Sequence, residues 1–137
     1  MKSLLIAFVA LASLSAQANE GNIELYHQEK PNTAVIQRPA IPNLTSPAPL
    51  ATVDAGAITL QWSKIEDASH YALQVSTDPV FYSILVNEPI FKDTSYTFKD
   101  VKLEAGKKYY WRVAAVKAGN QLGSTKSLFN RSSFTVK

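Results

Sequence analysis

Beyond Ala57, apolar and polar residues alternate with a period of two, the spacing of a β-strand with one wet face. In 57–62, Ile58, Leu60 and Trp62 point one way, and Thr59 and Gln61 the other. In 71–76, Tyr71, Leu73 and Val75 oppose Ala72, Gln74 and Ser76. Residues 84–86 and 95–98 form shorter runs, with Tyr96 and Phe98 sharing a face. In 108–116, Tyr109, Trp111, Val113 and Ala115 lie on one side, opposite Tyr110, Arg112 and Ala114. Phe134 and Val136 end the set. Turn signals separate the runs at 63–69, Asp78-Pro79, 87–89, Ala105-Gly106 and 119–124. About seven short strands at this spacing, with no amphipathic helix between them, predict an all-β, antiparallel two-sheet sandwich. Its expected core holds Trp62, Tyr71, Tyr109, Trp111, Val113 and Phe134.

The N-terminal third reads differently. Residues 1–18 have the layout of a secretory signal: Lys2, then an apolar run over 4–14, then Ala16-Gln17-Ala18 as a small-x-small cleavage site. Such a run falls short of the about 20 residues that span ~30 Å of hydrocarbon as a helix, so membrane insertion is not expected. Residues 19–38 are polar and lack sustained periodicity, and read as a flexible tether. Pro39, Pro42, Pro47 and Pro49 suit an extended lead-in or edge strand, because proline removes a ladder donor. The folded domain is therefore expected over 39–137. Cleavage near Ala18-Asn19 would leave a protein secreted, periplasmic or in the cell envelope.

Composition narrows the functional classes. A chain of 137 residues that is 46% hydrophobic and 18% charged is globular and has room for one domain. With no cysteine, it has no disulfide framework, no thiolate metal site and no cysteine for a lipid anchor. Without Lys2 it carries 13 Lys/Arg against 11 Asp/Glu, a net +2. Residues 19–92 hold 4 Lys/Arg against 8 Asp/Glu, and 93–137 hold 9 against 3. Strand interleaving is expected to mix these halves and leave no one-sided field.

The run Leu103-Glu104-Ala105-Gly106-Lys107-Lys108-Tyr109-Tyr110-Trp111-Arg112-Val113-Ala114-Ala115 resembles the fibronectin type III signature. The resemblance covers about residues 40–137 and implies an immunoglobulin-like sandwich. It puts Tyr109 at the tyrosine corner, Trp62 at the core tryptophan of the second strand, and Gly119 and Gly123 in the loop before the last strand. Ala105 stands where the family usually has proline, and the stretch from Phe98 to Leu103 is longer than usual. Residues 74–81 followed by 109–113 are similar to accessory modules of exported bacterial proteins. That likeness implies a spacer or adhesive surface without chemistry. The Arg-Gly-Asp tripeptide of integrin-binding members is absent from 117–124.

Residue patterns suited to catalysis are sparse. His70 beside Ser69 is the best candidate base, yet Ser69 is a chain neighbour on a turn and no Gly-x-Ser-x-Gly elbow exists. Glu66 and Asp67 are adjacent on one turn, without the cleft that glycoside cleavage needs. Glu66, Asp67 and Asp78 are too dispersed for a calcium loop, and there is no phosphate-cradling glycine loop. No catalytic residue, cofactor or metal site is expected. For binding, Tyr110, Arg112, Lys108 and Gln74 are the candidates on the outer strand face, since Tyr and Arg recur as interface anchors. The expected partner is another exported or surface protein, with cell-wall glycan as the alternative. Nucleic acid is not expected, because the net charge is small and the lysines are not interleaved with a stacking platform. Mass spectrometry of exported material should find a chain starting at or next to Asn19; retention of 1–18 would overturn the signal reading.

Overall fold

The computed structural model describes residues 37–119 and 123–137; the expected signal peptide and residues 19–36 of the expected tether lie outside them. Nine strands occur among the described residues: β1 (Leu44–Ser46), β2 (Ala51–Val53), β3 (Thr59–Trp62), β4 (His70–Ser76), β5 (Ile84–Phe91), β6 (Ser95–Thr97), β7 (Lys108–Lys117), β8 (Thr125–Lys126) and β9 (Asn130–Val136). They form a three-stranded sheet, β1-β3-β6, and a six-stranded sheet, β2-β9-β7-β4-β5, with β8 paired to the end of β7. No helix among the described residues is long and apolar enough to cross a membrane.

Strand count and direction depart from the simplest expectation at the proline-rich lead-in. β1 pairs antiparallel with β3 in one sheet, whereas β2 pairs parallel with β9 in the other. Pro47 and Pro49 lie between them, where the chain leaves one sheet edge for the other and ladder donors are not needed. The turn expected at 87–89 is also absent. β5 runs through Pro89 to Phe91, and the ladder to β4 shifts register between Tyr71↔Phe91 and Leu73↔Glu88. Pro89 thus falls in a bulge on an edge strand, where its missing N–H breaks no pairing.

The inward row of β7 fills the space between the sheets. Trp111, Val113 and Phe134 are fully buried, and Trp62, Tyr71 and Tyr109 nearly so. Trp62 contacts Tyr71 edge-on at 5.8 Å between ring centroids, Phe91 at 5.9 Å and Trp111 at 6.5 Å. Tyr109 stacks on Phe134 at 5.8 Å. Such pairs add about 0.5–1.5 kcal/mol each to their burial, in a domain without covalent crosslinks.

Two phenols bond back to the main chain and hold the ends of strands. The Glu104 amide donates to the Tyr109 hydroxyl at 2.8 Å, five residues upstream. Gly106 makes that turn with φ of +80°, a left-handed conformation suited to glycine. Its amide donates to Val136 O at 2.8 Å. The second phenol was not anticipated from the residues: the Ile65 amide donates to Tyr71 at 2.9 Å, closing the 63–69 turn. Val101 and Leu103, in the lengthened stretch after Phe98, pack against the core.

Tyr109→Phe keeps the buried ring and deletes only the hydroxyl. It should cost about 1–3 kcal/mol, because the Glu104 amide loses its partner. Tyr110→Phe, on the outer face, should leave the thermal midpoint nearly unchanged. Calorimetry of both variants checks this; equal losses would place β7 one residue out of register.

Candidate binding face

Strand register places the four candidate binding residues on the outer face of the six-stranded sheet. Lys108, Tyr110 and Arg112 alternate along β7, opposite Thr135, Ser133 and Arg131 of β9. Gln74 of β4 is the cross-strand partner of Arg112. Arg112 Nε donates to Gln74 Oε1 at 2.8 Å, and Gln74 Nε2 to Asn87 Oδ1 at 3.2 Å. A polar ladder therefore crosses three strands.

Arg112 itself is largely occupied. Its guanidinium lies 4.2 Å from the Phe81 ring centroid and 4.4 Å from that of Phe129, sandwiched between two faces. Each contact is worth roughly 0.5–1 kcal/mol where partly solvated. Burial pulls its pKa below the usual arginine value, and the Arg131 charge adds to the effect. Lys108 Nζ stands 5.4 Å over the Tyr110 ring, and Lys126 Nζ 4.6 Å over Phe129. Among the described residues the ion pairs are Lys107–Glu104, Lys117–Asp67 and Lys137–Asp54, so Lys108, Arg112, Lys126 and Arg131 face outward without a carboxylate partner. The expected mixing of charge halves is only partial: β9 and β7 pair with β2 and β4 of the acidic half, yet they also pair with each other. β7, β8 and β9, all from the basic half, are spatial neighbours.

Phe81 reaches Arg112 because Asp78 shapes the loop that carries it. Asp78 Oδ1 accepts from the amides of Val80 at 3.0 Å and Tyr82 at 3.2 Å. Oδ2 accepts from the Ser83 amide at 2.6 Å. The Ser76 hydroxyl lies 2.9 Å from both Asp78 Oδ2 and Ser83 O, with one proton to share between them. Alternation put Ser76 on the wet face, yet the loop covers it completely. These donors, with the Ser83 amide first, hold the Asp78 carboxyl at a pKa of about 2 against a partial desolvation cost. Neither Asp78, Phe81 nor Phe129 was singled out as a binding residue from sequence. The Asp-Pro turn signal and its flanking serines were the only hint of this organising role.

Phe81 has φ of 59° and Leu50 has φ of 63°, in the left-handed region that costs a non-glycine residue about 1–3 kcal/mol. Both line one shallow groove of about 260 Å³, together with Pro49, Pro79, Tyr110 and Arg131. Leu50 is 71% exposed at its rim, and Tyr82 is 90% exposed on the adjoining loop.

Other chemistry is sparse. Ser69 Oγ lies 2.9 Å from His70 Nδ1 but also 3.0 Å from the Val116 carbonyl, and no carboxylate among the described residues orients His70. No group of three or more His, Cys, Asp or Glu that could hold a metal ion occurs among the described residues. A second cavity of about 370 Å³, between 55–58 and 98–103, is lined by Lys99, Asp100 and Lys102 as well as apolar residues.

No family model and no curated protein matches the chain. Among solved structures, it is similar to a Fn3-like protein from Clostridium thermocellum, with a TM-score of 0.51 and 24% identity over 74% of this chain and 96% of that one. It is also similar to the fibronectin type-III domain of human fibronectin type III domain containing protein 3. There the TM-score is 0.43 and the identity 22%, over 77% of this chain and 94% of that one. The first of these shows the fold, a fibronectin type III β-sandwich.

Because the folded pKa of Asp78 lies near 2, below its ordinary 3.8, the ionised carboxylate favours the folded loop. That stabilisation is complete above about pH 4 and is lost as pH falls through 2. The amide resonances of Val80, Tyr82 and Ser83 should therefore titrate with a midpoint near 2; a midpoint near 4 would contradict the bonding described. Asp78→Asn should lower exchange protection at those amides while that of Val113 stays high.

Proposed function

We propose that the chain is exported and serves as a non-catalytic interaction or scaffold module, binding another exported or surface protein. Its binding surface is the outer face of the six-stranded sheet. The observation carrying this reading is the set Lys108, Tyr110 and Arg131 on one face, supported by the occupied Arg112, with Lys108 and Arg131 lacking carboxylate partners among the described residues. Here Lys108 is held over the Tyr110 ring, which pre-organises it and lowers the entropy lost on binding. Tyr and Arg are also the residue types over-represented at interface centres. The signal-like residues 1–18 support placement outside the cytoplasm or in the cell envelope.

A second reading, binding of cell-wall glycan, is favoured by one feature: Tyr82 presents a free ring at a loop tip, suited to stacking on a sugar.

Residues 19–137, immobilised, should retain envelope protein that Lys108→Glu/Arg131→Glu loses and Gln61→Glu, on the smaller sheet, keeps. Equal retention by both variants would sink the assignment of the face. Co-sedimentation with insoluble peptidoglycan that disappears in Tyr82→Ala would move the reading to glycan.

A further inference from the structure

The groove beside Tyr110 has two properties that an idle surface does not need. First, Leu50 holds a left-handed backbone while exposing most of its side chain to water, so neither its conformation nor its exposure is favourable. Its amide donates to Ser133 O at 2.9 Å, which anchors the strained residue to β9 at the groove wall. Second, the opposite wall includes Phe81, forced into the same backbone region by the Asp78-centred loop. Two strained residues from separate loops thus converge on one small apolar hollow, and strain of this kind collects at binding sites.

The hollow's size and surroundings define what fits it. About 260 Å³ is below the roughly 300–1,000 Å³ of small-molecule sites, and suits a side chain presented by a longer partner. Its lining is Pro49, Leu50, Pro79, Phe81 and Tyr110, with Arg131, Ser132 and Ser133 on the β9 side, so most of the hollow is apolar and suits an apolar side chain. Arg131 lies at its edge, and Lys108 stands over the Tyr110 ring. Neither has a carboxylate partner among the described residues.

We infer that the groove receives an apolar side chain from an acidic peptide segment of the partner protein, whose flanking carboxylates meet Arg131 and Lys108. This rests on the proposed protein-binding face and names the partner chemistry. A basic segment would be repelled by the same cations, and a purely acidic one would leave the hollow unfilled. Ionic attraction across an exposed rim is screened within ~8 Å at physiological salt, so binding should weaken as salt rises while the apolar anchor keeps the location unchanged.

Three synthetic peptides of equal length test this against residues 19–137: one rich in Glu with a central Leu, the same with Ser for Leu, and the first with Lys for every Glu. Only the first should shift the amides of Leu50, Phe81, Tyr110 and Ser133 in NMR titration. Arg131→Gln should weaken it by about two- to fivefold, the loss expected of one exposed ion pair. Tyr110→Ala should do likewise, with an unchanged thermal transition as its folding control. Arg131 is exposed, so its variant keeps the test open if Tyr110→Ala unfolds. Equal binding by the Ser or Lys peptide, or shifts that cluster elsewhere, would overturn the inference. If envelope protein is lost on Lys108→Glu/Arg131→Glu but no acidic peptide binds, the partner chemistry is wrong and the face stands. If the Leu peptide binds at the groove while envelope protein is retained regardless of the face, the groove stands and the functional reading falls.

Discussion

The hydrogen bond from the Glu104 amide to the Tyr109 hydroxyl sets which side of β7 looks inward. Strand side chains alternate strictly, so pinning one residue at the start of β7 commits the following ones. Tyr109, Trp111, Val113 and Ala115 go to the core, and Lys108, Tyr110 and Arg112 to the outer face. β7 lies between β4 and β9, so its register passes to both neighbours through the ladders Gln74↔Arg112 and Arg112↔Arg131. A slip of one residue would drive Arg112 into the core and Trp111 into water. Burying an unpaired guanidinium is far more costly than any turn could offset.

The outer face depends on a second polar device. Asp78 gathers three backbone amides and a hydroxyl around one carboxylate, and so forces Phe81 onto Arg112. The loop tip is left with Val80 and Tyr82 exposed. This division of labour explains why Arg112 is a poor candidate for direct contact despite its position. Its plane is covered by Phe81 and Phe129, and its Nε is bonded to Gln74. It supports the face, while Tyr110, Lys108 and Arg131 remain available at the surface. The strain at Leu50 and Phe81 adds a cost that packing of the core between the sheets must offset.

Sheet order gathers several cations on one face. A net +3 over the chain would predict little field if acidic and basic segments alternated in space. β7, β8 and β9 come from the same basic stretch and are adjacent, so their outward cations accumulate. Three nearby acidic residues are engaged elsewhere: Asp78 on amides, Asp67 on Lys117 and Glu104 on Lys107.

Much of the sandwich was legible in the residues alone, because alternation with period two and burial of one face are local properties. Trp62, Leu73, Trp111 and Phe134 declare their facing by their neighbours, and Tyr109 with Gly106 marks a turn whose geometry few other residues satisfy. Local pattern failed where the environment on the far side of a strand was set by distant chain. Ser76 and Ala114 alternate with wet positions yet are fully buried. For Ser76 the cause is the loop folded by Asp78. Pro89 reads as a turn but sits within β5, since only the sheet order reveals that β5 is an edge with a bulge to hold it. The groove was not legible, because Leu50, Phe81 and Tyr110 come from three separated segments, and two of them reach it through strained backbone that composition does not encode. Sequence determined which large apolar residues face inward on β3, β4, β6, β7 and β9, a short-range consequence of pleat and hydrophobicity. Tertiary structure alone decided which outward residues meet, because that depends on strand order and on loops closing over the sheet.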